Sequence, residues 1–525
     1  MRIGSAMTHT FSTSPSATIP RSSFNRTHGH KTTFDAGYLV PIYVDEALPG
    51  DTFNLKLTAF SRLATPLFPF MDNLFMDSFF FAVPYRLVWD NWQKFNGEQR
   101  NPGDSTDFLV PQMVSPVGGY LAQSLQDYMG LPTLVAGFTH SSLFFRAYNL
   151  IWNEWFRDEN LQNSLTVDVD DGPDSPSDYV LQRRGKRYDY FTSALPWAQK
   201  GPSVPLPLGT TAPVFGNQND VWVNNGLGDR YLQMTNASGT LNLSSNASNT
   251  GAINWGTIAD PFLTGLSVDL SEATAATINQ LRQAFQIQKL YERDARGGTR
   301  YIEILKSHFG VTSPDARLQR PEYLGGGSSP IMVNPVAQTS STDGTSPQAN
   351  LAAYGTSTLI NHGFHKSFVE HCIIIGMVSV RADLNYQQGL NRMWSRRTRW
   401  DFYWPALSHI GEQTILNKEI YLDGTSTDDQ VFGYQERYAE YRYKPSQISG
   451  QFRSNYAQTL DSWHLAQNFA SLPVLNASFI VENPPVDRIK ALGDDYPDFL
   501  FDGHITLFSA RPMPVNGVPG LIDHF

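Results

Sequence analysis

The sequence contains very little cysteine: Cys372 is the single thiol among 525 residues. One thiol cannot form a disulfide within the chain, and it cannot supply a zinc site made of several thiolates. Cys372 begins an apolar run that continues to Val380, which is typical of a buried strand. The pattern therefore predicts a packed thiol rather than a nucleophile.

Long hydrophobic runs are also missing. No stretch reaches the roughly 18 apolar residues that a membrane-spanning helix needs, so we expect no membrane insertion. The segment from Met1 to Thr18 is rich in serine and threonine and lacks the apolar centre of a secretory signal. These absences predict a soluble protein that is made and assembled in a reducing compartment.

Motifs for catalysis and for cofactor binding are absent as well. The sequence has no Gly-x-Ser-x-Gly elbow, no phosphate-binding loop, no His-Glu-x-x-His pair and no dinucleotide fingerprint. We therefore expect neither an enzyme nor a bound cofactor.

Two weaker patterns suggest metal sites. His362 and His365, with Glu370 close by, could ligate iron or zinc as in a cupin, but ligands that share a strand face must be two residues apart. Their spacing of three favours solvated or hydrogen-bonded histidines. The acidic run from Asp168 resembles the start of a calcium loop, but Tyr179 stands where the bidentate glutamate belongs. A solvated acidic turn is the preferred interpretation.

Positive charge is in deficit over the whole chain. Lysine and arginine number 39 against 49 acidic residues, giving a formal net charge of −10. A protein whose entire surface wraps nucleic acid would be basic. Any nucleic-acid site must therefore be local, and a separate basic protein could neutralise the remaining phosphates.

Cations and aromatic rings are nevertheless concentrated after residue 391. Guanidinium groups pair with phosphates and aromatic rings stack on bases, so the mixture is typical of a surface for single-stranded nucleic acid. Arginine and tryptophan are equally typical of protein interfaces, which leaves DNA contact and subunit contact both open. The candidate residues are Arg392, Arg396, Arg397, Arg399, Trp394 and Trp400, followed by Tyr403 and Trp404. A second basic block, Arg183, Arg184, Lys186 and Arg187, has the same ambiguity.

Strand patterns lie at both ends of the chain, with helices and long loops between them. Apolar residues alternate with polar ones from Phe53 to Ala59, which predicts a half-buried strand. The denser apolar run from Leu74 to Val83 predicts a strand buried on both faces. Helices are predicted around residues 144–155, 278–290 and 301–309, with Ile278, Leu281, Phe285 and Leu290 on the inner side of the second.

Long sequence blocks resemble the major capsid protein of the gokushoviruses, small tailless phages of the microvirus family. The blocks are FDAGYLVP at 34–41, DEALPGDT at 45–52, RRGKRYDYFT at 183–192, FQIQKL at 285–290, ERDARGGTRY at 292–301 and PGLIDH at 519–524. They follow the order found in that family and span most of the chain, with a departure between about residues 208 and 270.

The resemblance implies a structural protein of the virion. Its expected fold is dominated by β structure: an eight-stranded antiparallel jelly roll with large helical and loop insertions. Its expected function is to assemble, through pentamers, into a T=1 icosahedral shell around a single-stranded DNA genome in the cytoplasm of a bacterial host. Expected partners are further copies of the chain, the DNA, a small basic DNA-binding phage protein, a scaffolding protein, a pilot protein and a host receptor.

Three regions are expected on these grounds. Residues 1–33 are polar and predict a mobile N-terminal arm. Residues 34–204 and 271–525 are expected to form the jelly-roll core. Residues 205–270 are rich in Gly, Asn, Ser and Thr and predict an insertion that projects from the surface and touches the host. The candidate attachment residues are Trp222, Tyr231, Asn236, Asn242 and Asn246.

A rival interpretation from another class is a jelly-roll protein that binds carbohydrate, or a cupin-type metalloenzyme. Such a protein would use His362, His365 or the aromatic clusters as its ligand site. Particle size distinguishes the two, because a capsid subunit forms a very large closed assembly whereas a lectin or cupin stops at a small oligomer.

Overall fold

The structure is a computed structural model that describes residues 19–204, 278–344, 347–383, 385–493 and 496–516, together with five short strands between residues 214 and 268. It separates the chain into two units, residues 199–296 and the remainder. Each unit is treated by itself below.

The first sheet of the larger unit has six strands, all antiparallel to their neighbours. They are β1 (Ser22–Asn25), β2 (His28–Phe34), β4 (Thr52–Leu63), β14 (Met332–Ala337), β15 (Leu351–Ser367) and β19 (Phe499–Arg511). The order is β1-β19-β4-β15-β14, and β2 pairs with the same edge of β19 as β1. Burial alternates strictly along β4, so its predicted half-buried pattern is confirmed.

The second sheet has four antiparallel strands in the order β13-β5-β16-β3. They are β3 (Val40–Ala47), β5 (Leu74–Pro84), β13 (Glu322–Pro330) and β16 (Cys372–Ala382). Nearly every residue of β5 and β16 is buried, which confirms the strand predicted to be covered on both faces. Cys372 is itself buried, and burial raises the pKa of its thiol to about 12.

The two sheets pack face to face around one apolar core. Phe53, Leu55 and Leu57 of the first sheet share this core with Phe80 and Ile374 of the second. The opposite face of the second sheet is covered by α3 (Leu143–Ile151), which continues as a π-helical turn at Trp152–Phe156. The predicted helix is confirmed. The antiparallel sandwich agrees with the expected fold class, while the jelly-roll connectivity stays a prediction.

The other elements of this unit are short. They are β6 (Gln112–Val114) paired with β7 (Thr139–Ser141), β17 (Glu412–Leu416) paired with β18 (Val431–Glu436), and the helices α1 (Trp92–Phe95), α2 (Leu125–Tyr128), α5 (Tyr301–Phe309), α6 (Asp315–Leu318), α7 (Asn417–Ile420) and α8 (Ala477–Ile480). A third apolar cluster joins β17, β18 and their surroundings through residues such as Ile415 and Phe432.

The described part of the smaller unit contains five strands, and α4 (Ile278–Gly297) lies almost wholly within this unit. β9 (Val221–Asn224) pairs with β10 (Asp229–Tyr231) and β11 (Ala252–Trp255), and β8 (Val214–Gly216) pairs with β12 (Leu266–Val268). The helix forms as predicted, but Ile278, Leu281, Phe285 and Leu290 are exposed. The prediction that they face inward is wrong.

The predicted arm differs from the structure where the structure describes it. Residues 22–25 and 28–34 are strands bound to β19, not a mobile segment. Arg26 also reaches Asp45, with Nη1 and Oδ2 2.7 Å apart. These strands lie at a sheet edge and carry mostly polar residues, so they lack the apolar alternation that identifies half-buried strands. The rest of the predicted arm, residues 1–18, lies outside the described residues.

Candidate functional site

Short turns position the arginines and tryptophans that follow residue 391. Three 3-10 turns succeed one another: Arg392–Trp394, Arg399–Asp401 and Pro405–Leu407. The Asn391 side chain accepts a hydrogen bond of 3.0 Å from the backbone two residues on, which caps the first turn. Asp401 accepts from the amides of Thr398 and Arg397, and these bonds lower the pKa of its carboxyl group. Hydrogen bonds within the segment therefore fix its conformation.

Two of the four candidate arginines form ion pairs within the chain. Arg392 Nη1 lies 2.9 Å from Oε1 of Glu419, whose side chain is 3% exposed. Glu419 also accepts a bond of 2.9 Å from the Tyr190 hydroxyl, and burial raises the pKa of this carboxyl. Arg396 Nη2 lies 3.5 Å from Oε1 of Glu440, which is 7% exposed. Arg392 and Arg396 therefore attach the segment to the buried carboxylates of Glu419 and Glu440.

The other two arginines, Arg397 and Arg399, are exposed. Among the residues that the structure describes, no carboxylate forms an ion pair with either guanidinium group. The Arg399 guanidinium carbon lies 4.5 Å from the ring centroid of Trp404 and 5.3 Å from that of Trp400. Trp394 and Trp400 are 71% and 58% exposed. The segment therefore exposes two guanidinium groups, of which that of Arg399 stacks on indole rings, together with the open rings of Trp394 and Trp400.

Neighbouring rings extend this surface beyond the residues that the sequence singled out. Phe402, which was not a sequence candidate, and Tyr403, which was, are both about half exposed, and Tyr403 lies 6.1 Å from the ring of Tyr441, centroid to centroid. Tyr441 in turn stacks on Arg396, with the guanidinium carbon 4.4 Å from its ring centroid. Phe402 has the same local composition signal as its neighbours, but Tyr441 is too distant in sequence to be assigned. We call Trp394, Arg397, Arg399, Trp400, Phe402, Tyr403 and Trp404 the aromatic-basic surface.

A cavity of about 300 Å³ adjoins this surface. Its walls include Trp394, Tyr443 and the paired Arg392 and Glu419. Because the Arg392 charge is already balanced by Glu419, the cavity is less suited to a phosphate than the exposed guanidinium groups are.

The second basic block is used mainly to hold the chain together. Arg183 donates to the carbonyl of Glu482 at 3.0 Å and lies 4.0 Å from the Tyr38 ring centroid. Arg184 pairs with Asp77 at 2.7 Å. Lys186 Nζ lies 4.3 Å from the Phe479 ring centroid, and burial lowers the pKa of its ammonium group to about 8. Arg187 is the exposed member, 3.6 Å from Asp383.

Comparisons with known proteins decide the class of this chain. The sequence profile of the "Capsid protein (F protein)" family matches residues 12–521. The chain is 50% identical to the capsid protein VP1 of Bdellovibrio phage phiMH2K over 100% of both chains. It is 47% identical to the capsid protein VP1 of Chlamydia phage 1, with 99% of each chain covered, and 38% identical to that of Spiroplasma virus 4, with 98% covered.

The chain belongs to the capsid protein (F protein) family. Members of this family are structural proteins of the virion, so the expectation of a capsid protein rather than an enzyme is confirmed. No helix in the described part of this capsid protein has the length and apolar character needed to cross a bilayer.

The histidines that a cupin would use as ligands have other surroundings in this structure. His362 is buried between the sheets, where its Nδ1 and Nε2 lie 2.8 Å and 3.2 Å from the hydroxyls of Ser78 and Ser329. Burial lowers the pKa of its imidazole. His365 is exposed, so the two rings do not converge. Within the described ranges, no three His, Cys, Asp or Glu residues are grouped as metal ligands.

The acidic run that begins at Asp168 is more than the solvated turn that the sequence predicts. Asp174 is buried and lies 2.5 Å from the guanidinium of the fully buried Arg146. It also accepts a bond of 2.5 Å from the Tyr179 hydroxyl. Asp171 accepts from the indole nitrogen of Trp89 at 2.7 Å. The run therefore anchors the apolar cluster between α3 and the second sheet instead of facing water throughout.

The predicted host-attachment residues are only partly covered by the structure. Trp222 and Tyr231 are direct partners across the β9–β10 ladder. Asn236, Asn242 and Asn246 lie outside the described residues.

Proposed function

We propose that this capsid protein assembles, through pentamers, into a T=1 icosahedral shell around a single-stranded DNA phage genome. Membership of the capsid family along residues 12–521 carries the proposal. The fold supports it: without β1 and β2, which are added at the free edge of β19, the sandwich has four strands in each sheet. Sequence-distant strands such as β4 and β19 are neighbours, as in an eight-stranded jelly roll.

The aromatic-basic surface contacts the packaged DNA in this proposal. Arg397 and Arg399 offer exposed guanidinium groups that form no ion pair with a described carboxylate, and Trp394 and Trp400 offer open rings for stacking. The net charge of −10 leaves most phosphates to another cation, so a small basic phage protein completes the neutralisation. A scaffolding protein and a pilot protein are further partners during assembly in the host cytoplasm.

The smaller unit carries host attachment in the same proposal. Trp222 and Tyr231 are paired in register between β9 and β10, and segments carried on a scaffold are common recognition elements. Replacing residues 210–260 by a short Gly/Ser linker should leave shells that form normally but adsorb poorly to host cells. Normal adsorption would exclude the receptor role, and failure to form shells would make the segment part of the scaffold.

Electron microscopy of the purified protein tests the shell directly. Closed isometric particles are expected, and small oligomers alone would contradict the proposal. DNA contact is tested in particles with Arg397→Gln and Arg399→Gln, which should retain less DNA and show a shallower salt dependence of DNA binding. Arg62→Gln with Arg100→Gln is the matched control, because it removes two exposed charges elsewhere. Full DNA content with impaired assembly would assign the surface to a neighbouring subunit.

A further inference from the structure

A second exposed surface has a different chemistry. The segment formed by residues 115–137, which contains α2 and is here called the apolar loop, displays exposed aliphatic side chains. Val117 is completely exposed, and Leu121 and Leu134 are 67% and 72% exposed. A concavity of about 530 Å³ beside them is lined in part by Pro116 and Val180. A group of this kind on a soluble protein marks an interaction site.

Specific contacts hold the apolar loop in one conformation. The Ser115 hydroxyl donates to the carbonyl of Val135 at 3.0 Å and accepts from the amide of Phe138 at 3.1 Å. The amide of Leu134 donates to the carbonyl of Tyr120 at 2.9 Å. Gly119 packs so closely that an added Cβ would come within 2.3 Å of the Val135 nitrogen. The loop is a built structure, so its exposed side chains occupy defined positions.

Leu134 has an unfavourable backbone conformation as well as an exposed side chain. Its φ is +60°, a left-handed value that leucine rarely adopts because its Cβ crowds the backbone. Within the subunit this strain yields no burial of the side chain. Strained residues persist where the surrounding structure imposes them, and they concentrate at sites of function. A contact with another molecule that buries the Leu134 side chain would offset this unfavourable conformation.

The lack of positive charge in and around the apolar loop limits the class of molecule that can bind to it. From Asn101 to Phe145 the sequence contains no lysine or arginine, whereas Asp104, Asp107 and Asp127 are acidic. Without cations the surface cannot attract DNA or an anionic membrane. An apolar surface of this type fits another protein.

We propose that the apolar loop is a contact between copies of this chain, with Val117, Leu121 and Leu134 inserted into the neighbouring subunit. The occupant is a second copy because a capsid subunit is surrounded by further copies of itself, and symmetry repeats each such contact throughout the shell. The inference rests on the proposed shell, and it identifies one surface through which neighbouring subunits of that shell contact each other.

The variant Leu134→Asn tests this assignment, because asparagine tolerates a left-handed backbone but removes the aliphatic side chain. The isolated subunit should keep or raise its melting temperature, while the yield of closed particles should fall at least tenfold. A purely structural role for Leu134 predicts the reverse order, with lower stability and normal assembly. Val117→Asn provides a second variant at a position without burial to lose, should the first fail to fold.

The matched control is Val369→Asn, at a residue that is 90% exposed between β15 and β16 and distant in sequence from the apolar loop. It should assemble like the wild type. Normal particle yield for both loop variants would overturn the loop assignment alone, provided that wild-type particles form. Absence of wild-type particles would overturn the shell proposal and this one together. Normal particles that adsorb poorly would assign the loop to a host contact and also overturn it.

Discussion

The aromatic-basic surface and the apolar loop are both exposed, but they are built in opposite ways. The first rests on partly buried ion pairs, Arg392 with Glu419 and Arg396 with Glu440, and displays exposed cations among aromatic rings. The second rests on backbone hydrogen bonds and a strained leucine, and displays aliphatic groups in a stretch without cations. Exposed apolar area alone therefore does not identify a partner; the charge that accompanies it does.

The largest expected effect comes from removing the support of the aromatic-basic surface. Glu419→Ala leaves the partly buried Arg392 with only Glu440, whose Oε1 lies 4.0 Å from its Nε, and Tyr190 without its acceptor. Breaking a fully buried pair costs about 3–5 kcal/mol of the free energy of unfolding, which is the upper limit expected here. Chemical denaturation measures the loss, with the exposed Glu98→Ala as control. A cost under about 1 kcal/mol would show that the ion pair is dispensable and that the surface is held otherwise.

A pH effect of somewhat smaller size should arise near the same surface. Glu482 lines a cavity with Tyr386 and Tyr443, and burial raises the pKa of its carboxyl to about 7. In the unfolded chain this carboxyl ionises near pH 4.5. The folded form therefore holds a proton that the unfolded form releases, and stability falls as pH rises between these two values.

Glu482→Gln should remove this dependence. Relative to the variant, the wild type should lose about 3 kcal/mol of unfolding free energy between pH 4.5 and pH 7, and no more above that range. Denaturation curves of both proteins at pH 4.5, 6 and 8 give the difference directly. Parallel curves at all three pH values would show that Glu482 is ionised in the fold.

A pair of glycines tests whether the apolar loop depends on close backbone packing. Gly118 and Gly119 both have positive φ, but only Gly119 is in contact, since an added Cβ at Gly118 meets nothing within 4 Å. Gly119→Ala should cost about 1–3 kcal/mol more than Gly118→Ala, because the clash is with backbone that cannot rotate away. Thermal unfolding compares the two variants, and equal stability would mean that the loop is freely deformable.

The smallest effect should come from a single ring of the aromatic-basic surface. Trp400→Ala removes a side chain that is 58% exposed, so the fold should lose little. Its binding to single-stranded oligonucleotides should weaken by about 1–3 kcal/mol if the ring stacks on a base. The same titration on Leu134→Asn should match the wild type, since the apolar loop has no cation. Equal losses in both variants would erase the distinction between the two surfaces.

Sequence patterns predicted those parts of the molecule that depend on neighbours along the chain. Period-two alternation identified β4, and continuous apolar character identified β5. The family resemblance was confirmed across the chain. By contrast, Glu419 and Glu440, the ion-pair partners of Arg392 and Arg396, lie 27 and 44 residues away in the sequence. Which two of the four arginines form ion pairs and which two are exposed could therefore be learned only from the fold.

The apolar loop could not be found from sequence for a related reason. Val117 and Leu121 are four residues apart but have Gly118 and Gly119 between them, and Leu134 follows 13 residues later, so they read as scattered loop residues. Their common exposure depends on contacts such as that between Ser115 and Val135. The left-handed backbone of Leu134 has no signature in the residue type, because leucine is not a residue that such positions favour.

The position of β19 makes the first sheet depend on a strand that lies far along the sequence from its partners. This strand is made of residues 499–511, yet it separates β4 from β1 and β2, which are synthesised first. The backbone groups of β4 that pair with β19 therefore stay without this partner until more than 400 further residues have been synthesised. Such distant pairing slows folding. A chain truncated before Phe499 would lack the strand that joins β4 to β1 and β2, so its first sheet could not be completed.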